Sequence, residues 1–196
     1  MRLPNAAHET RPWRIREIAP DFTVEDVWAL PVNGGAGDFP ALLGVVATLH
    51  PARDGSPAIR VLFGVRRCLG NWFGWDDAAE RPIPGQDEVS LASRLPEDLR
   101  NTTAGLDFGP GPFAPLYRTD TEFAAELSNQ TVHAVMHLAW VDRGKERYQG
   151  QMAVYVKPRG RLGKRYMTLI APVRHWVVYP ALMRQIERAW NTRVSQ

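Results

Sequence analysis

Cysteine is nearly absent from this chain. Cys68 stands alone among 196 residues, so no internal disulfide can form, and a reducing cytoplasm is the expected setting. Long apolar runs are missing as well. No stretch reaches the ~18 uninterrupted apolar residues of a membrane span, and residues 1–14 have neither the apolar core nor the cleavage pattern of a secretory signal. Excess charge of one sign is also lacking: a net charge of +3 leaves the pI of about 9.3 without a basic patch behind it, and no nucleic-acid partner is expected. Arginine far outnumbers lysine, which reads as base composition rather than phosphate binding. There is no G-x-S-x-G elbow, dinucleotide fingerprint, CxxC pair or kinase set. The glycine-rich run at 32–37 lacks the lysine and the preceding buried strand of a phosphate loop, and reads as a linker. Cys68, beside Arg67 in an apolar helix, reads as inert core. No cofactor is expected.

What remains is an ordinary soluble composition, 44% hydrophobic and 23% charged, in a length that suits one domain over residues 1–196. Residues 1–11 are polar and expected to be loose. Residues 12–19 alternate like a first strand through Trp13 and Ile15, and Thr23 reads as the N-cap of a short helix through Val27 and Leu30. Asp38 with Pro40 opens a second helix to about Leu49. Ser56 with Pro57 opens a third, closed by Gly74, whose apolar stripe is Ile59, Leu62, Val65, Leu69 and Trp72. Residues 76–116 are dense in Pro, Gly and Asp and read as a long irregular loop, with one short helix at 96–99. Residues 162–190 read as helix, broken or kinked at Pro172 and Pro180. Its stripe of Val173, Trp176, Val177, Leu182, Met183, Ile186 and Trp190 is expected to pack on a sheet. His175, beside Arg174, reads as a satisfied core or interface residue.

The most informative stretch is 121–157, where polar and apolar residues alternate through three segments. Read as strands, they put Glu122, Glu126, His133, His137, Gln151, Tyr155 and Lys157 on one face. Phe123, Leu127, Met136, Leu138, Trp140, Met152, Val154 and Val156 fall on the other. Hairpin arithmetic about Asn129–Gln130 and Gly144 sets Glu126 opposite His133, Glu122 opposite His137, His133 opposite Tyr155 and His137 opposite Gln151. A row of Glu126, His133 and Tyr155 can move a proton and donate to an oxyanion, with His137 beside it. The same row can also be a plain ladder on a solvent face, and that reading is preferred. His133 and His137 lie about 13 Å apart along a strand, too far to share one metal ion. No metal site is expected.

The phrases RPWRIREIAPDF, TVEDVWALP, LYRTDTEFAAELSNQTVHAVMHLAW, QMAVYVKPRGRLGKRYM and APVRHWVVYPALMRQIERAW together resemble the bacterial domain of unknown function numbered 2867. That family is similar to stand-alone actinobacterial proteins and to domains fused behind Rossmann-type epimerases or reductases. The resemblance carries no activity onto numbered residues. Its strand-rich middle and long C-terminal helix are similar to the helix-grip fold of the START and Bet v 1 type. The implied fold is α+β: a curved antiparallel sheet packed against a long C-terminal helix, with two or three helices inserted after the first strand.

The first functional expectation is a small hydrophobic or aromatic ligand held between the apolar sheet face and the C-terminal helix. Phe123, Met136, Trp140, Met152, Tyr166, Trp176 and Tyr179 are the candidates to line that site. The alternative is a cofactor-independent enzyme, a cyclase, lyase or hydrolase, with His133 as base, Glu126 as orienter and Tyr155 as donor. That alternative requires the polar face to be covered, by the 59–72 helix and the 76–116 loop. The fused relatives suggest a third reading, an accessory module that forms a homodimer or associates with a Rossmann-type reductase.

Overall fold

A computed structural model describes residues 1–49, 90–103, 113–128 and 132–194. The third expected helix, Cys68, most of the long loop and the turn at 129–130 lie outside the described residues. The fold is α+β, a curved six-stranded antiparallel sheet with a long C-terminal helix. The elements in chain order are β1 (Arg2–Leu3), α1 (Ala6–Glu9), α2 (Ile15–Ile18), β2 (Thr23–Gly34), α3 (Phe39–Thr48), β3 (Ala114–Arg118), β4 (Glu122–Ser128), β5 (Val132–Asp142), β6 (Tyr148–Pro158), α4 (Gly160–Val173) and α5 (Tyr179–Val194). A π-helical turn, Arg174–Val178, joins α4 to α5. The strands lie in the order β1-β2-β6-β5-β4-β3.

The three strands expected in the middle third form, and the side chains sort onto the two faces as the alternation requires. The sheet is buried on both faces. On one, Val27, Tyr117, Ala124, Val135, Ala139, Val141, Ala153 and Tyr155 lie beneath Trp13, Ile15, Ile18, Phe22, Leu91, Leu95 and Leu99. On the other, Trp28, Leu30, Phe123, Leu138, Trp140 and Met152 meet Phe39, Leu42 and Leu43 of α3 and Tyr179, Met183, Ile186 and Trp190 of α5. Each of the large apolar side chains contributes about 1.5–3 kcal/mol by leaving water.

The N-terminal third departs from expectation. Residues 12–19 are not a strand: Ile15 and Ile18 sit three apart on the helical turn α2, and both are fully buried. Thr23 caps no helix. It opens β2, which is buried on both sides and so shows a near-continuous apolar run instead of alternation. Pro31 falls where the pairing with β6 lapses between Ala29 and Asn33, as a residue without a donor must. The 32–37 run is not a free linker either, since Val32, Asn33 and Gly34 complete β2 and a 3₁₀ turn follows at Ala36–Asp38. A buried strand therefore does precede the glycines, although the lysine of a phosphate loop is still absent. Residues 1–11 are tied down. Ala29 N donates to Met1 O at 2.8 Å, Asn5 Nδ2 donates to Val24 O at 2.7 Å, and His8 is fully buried.

The helices at 38–49 and 96–99 form as α3 and a 3₁₀ turn, Glu97–Leu99. The C-terminal helix continues past Pro172 and Pro180, and the wide π turn lies between the two prolines, each of which removes a backbone donor. Among the described residues no helix is long and apolar enough to cross a membrane.

Candidate functional site

Glu122 and Glu126 lie four residues apart on β4, and His133 and His137 four apart on β5, so all four side chains share a face. The register is displaced by two residues from the expected one: His133 faces Ser128, and His137 faces Ala124. An even displacement keeps the face, and each carboxylate reaches its imidazole along the ladder diagonal. Glu126 Oε2 is 2.9 Å from His133 Nε2, and Glu122 Oε2 is 3.0 Å from His137 Nε2. Across β5 the same shift places Tyr155 opposite Val135 and Gln151 opposite Ala139. The row Glu126–His133–Tyr155 is therefore broken at its third member. Tyr155 joins His137 instead, with ring centroids 6.3 Å apart. The cause is the β5–β6 turn, which runs over 143–147 with Lys145 and Glu146 in the left-handed region as well as Gly144.

This face is not a solvent ladder. His133, His137, Glu122, Glu126, Gln151 and Tyr155 are all buried. The described cover is residues 1–22, through His8, Trp13, Ile15, Ile18 and Phe22, with Leu91, Leu95 and Leu99 of the 90–103 segment. The 59–72 helix, expected to supply part of it, lies outside the described residues.

The two dyads differ in what surrounds them. Glu126 also accepts from Ser90 Oγ and from Leu91 N at 3.0 Å, and Ser90 Oγ in turn accepts from Ala92 N. Burial opposes the Glu126 charge, but the hydrogen bonds from His133, Ser90 and Leu91 N outweigh it and hold the carboxyl below its ordinary range. That dyad pins the 3₁₀ turn Leu91–Arg94 to the sheet.

Glu122 Oε2 accepts from His137 Nε2, from Tyr117 Oη at 3.0 Å and from Arg14 N at 3.0 Å. Because a carboxylate only accepts, Nε2 of His137 carries the proton. His137 Nδ1 is then left buried with no partner among the described residues. His8 Nδ1 lies 2.6 Å from Gln151 Oε1, which likewise leaves its Nε2 buried and unpartnered. Burial, reinforced by the neighbouring His137, pushes His8 down from 6.5 to about 3, so its imidazole is neutral and Nε2 presents a lone pair. Trp13 Nε1 and Tyr155 Oη are buried donors, also without partners among the described residues. Burial holds the Tyr155 phenol protonated by raising it above its ordinary value. These four groups are neighbours: His8 lies 5.0 Å from His137, 5.6 Å from Trp13 and 5.6 Å from Tyr155, and Trp13 lies 5.7 Å from His137, ring centroid to ring centroid. Two lone pairs and two N–H or O–H donors thus meet in one buried cluster.

The family model for "Protein of unknown function (DUF2867)" matches residues 18–181. The chain belongs to this family. No curated protein and no solved structure matches it. Within this DUF2867 chain, the family match takes in both dyads and Tyr155, and begins beyond His8 and Trp13.

The seven apolar candidates are divided. Phe123, Trp140, Met152 and Tyr179 are buried together beneath α3 and α5, and Met136 is partly buried against them. Trp140 Nε1 donates to Gly35 O at 2.8 Å. Trp176 is 82% exposed and lines no interior site, because the π turn aims it outward. The Tyr166 side chain lies outside the described residues. Sequence reasoning missed His8, Trp13 and Tyr117. His8 sits in a polar stretch with no periodicity to place it, and Trp13 lies in a segment whose alternation mimics a strand that does not form.

Proposed function

We propose that this chain is an acid–base enzyme whose substrate is a small carbonyl compound bound at the covered polar face. The supporting observation is the cluster of His8, Trp13, His137 and Tyr155, each nine-tenths or more buried and each with a polar atom that has no partner among the described residues. A buried polar atom left unpaired costs about 1–3 kcal/mol, and four such atoms in one place is the cost expected of a site built for a polar guest. In this reading His137, oriented by Glu122, takes a proton from the carbon next to the carbonyl. The C–H electron pair moves into the carbonyl, and Tyr155 Oη–H and Trp13 Nε1–H donate to the oxygen that becomes negative. His8 Nε2 accepts from a hydroxyl of the same substrate. Return of a proton from His137 to that carbon, as the carbonyl re-forms, closes the cycle with atoms and charge conserved and exchanges the C–H hydrogen with solvent.

The test is proton exchange in D₂O, followed by NMR on hydroxyacetone, pyruvate and acetylacetone. Wild-type protein should speed C–H to C–D exchange of at least one of them about 10²–10⁴-fold. His137→Gln should remove the effect, and Tyr155→Phe should reduce it by about 10²-fold. Equal exchange with and without the protein would end the proposal.

A second reading is favoured by Trp28. Its Nε1 is buried on the apolar side with no partner among the described residues, and its ring lies 4.9 Å from Tyr179. That geometry, with the helix-grip likeness, suits an apolar ligand with one acceptor atom, held between β2 and α5. Co-purified small molecules seen by native mass spectrometry, and lost in Trp28→Phe, would support it.

A further inference from the structure

Two irregularities of the backbone meet at a second carboxylate. Val24 packs with the polar-face core, whereas Asp26 pairs with Val154, which belongs to the helix side. Two residues two apart in a regular strand share a face. The bulge between Val24 and Asp26 removes that constraint and turns Asp26 toward the C-terminal helix, which is what bulges do beside functional sites. On the helix, the π turn Arg174–Val178 is the other irregularity, of a kind often found at functional sites. The two irregularities converge on one contact: His175 Nε2 lies 2.5 Å from Asp26 Oδ1.

Asp26 is completely buried. It also accepts from Tyr179 Oη at 3.2 Å, Arg174 at 3.2 Å and Arg2 at 3.3 Å, and Arg174 is bound in turn by Glu25 at 2.8 Å. The two guanidinium groups balance Glu25 and Asp26, so the imidazole is not needed to neutralise the buried charge. His175 is nonetheless the group held closest. Its Nε2–H is spent on Asp26, which leaves Nδ1 as the basic atom of a ring whose side chain is 21% exposed. Beside it stands the half-exposed Arg2, whose contact to Asp26 Oδ1 is shared with His175, while Trp176, the next residue in the π turn, is the most exposed large hydrophobic side chain described.

We propose that Asp26 and His175 form a second acid–base site on the outer side of the π turn, which hydrolyses a small ester carrying a planar aromatic group. His175 Nδ1 takes a proton from water as the water oxygen bonds to the acyl carbon. The carbonyl oxygen becomes negative within reach of the Arg2 guanidinium. The C–O bond to the leaving group then breaks, and the leaving oxygen recovers the proton from the imidazolium. Trp176 offers its indole face to the aromatic group. Asp26 is a positioning residue, acting through the ring it holds.

The probe is 4-nitrophenyl acetate at neutral pH, with full-length protein. Hydrolysis should run about 10²-fold faster than with equimolar free imidazole. His175→Gln should abolish the gain. Trp176→Ala, a surface change that spares folding, should raise KM with kcat little altered. Asp26→Asn should shift the His175 ring ¹⁵N resonances away from the Nε2–H tautomer, a signature that simple loosening of the helix would not give. His137→Gln should leave the rate unchanged, which separates this site from the covered polar face. A wild-type rate no greater than free imidazole, an undiminished rate in His175→Gln, or a loss that follows His137 instead would overturn the proposal.

Discussion

At the residue scale, His8 carries the clearest consequence for stability. Its imidazole is neutral in the fold, with a value of about 3, against 6.5 when unfolded. The unfolded chain therefore takes up a proton below pH 6.5 that the folded chain refuses. Stability is flat in this group above 6.5 and falls as pH drops toward 3, with a limiting slope of about 1.4 kcal/mol per pH unit. Urea denaturation between pH 7 and pH 4.5 should show the loss. His8→Asn, which keeps a donor for Gln151 and cannot titrate, should flatten that part of the profile. An unchanged slope in the variant would place the acid sensitivity elsewhere. The sequence offers no hint of this residue's burial. Nothing in MRLPNAAHET has a period, and only tertiary contact with Trp13, His137 and Tyr155 makes His8 interior.

At the element scale, the alternation in β4, β5 and β6 was legible because those strands carry distinct polar and apolar faces. β2 was not legible, since burial on both sides and its bulges erase the period of two. The hairpin register was half legible. Parity followed from the pattern, but the exact offset depended on turn residues, and Lys145 and Glu146 adopt a left-handed backbone that their side chains do not advertise. The dyad of Glu126 and His133 belongs to this scale, as the clamp between β4 and the turn Leu91–Arg94. Glu126→Gln should cost roughly 1–3 kcal/mol by leaving Ser90, Leu91 N and His133 poorly matched. Hydrogen exchange should then rise in residues 90–99 before it rises in β5. Uniform exchange across the sheet would argue against a local clamp.

At the scale of the whole molecule, the sheet is a partition. One side is closed by α3, α4 and α5 over a largely apolar interior, and the other by residues 1–22 and 90–103 over the acid–base groups. Leu138, fully buried on the helix side, should cost about 2–5 kcal/mol as Leu138→Ala. The same substitution should leave the C–H exchange activity of the folded fraction intact, because the chemistry lies across the sheet. Loss of exchange in fully folded Leu138→Ala would mean that the two sides are not independent.

The decisive comparison is between His137→Gln and His133→Gln, with carbonyl C–H exchange in D₂O measured on both under conditions where each is folded. The regrouped cluster requires that His137→Gln abolish exchange while His133→Gln keeps most of it. Exchange that survives His137→Gln, or disappears only with His133→Gln, would contradict the assignment of the buried cluster as the catalytic centre.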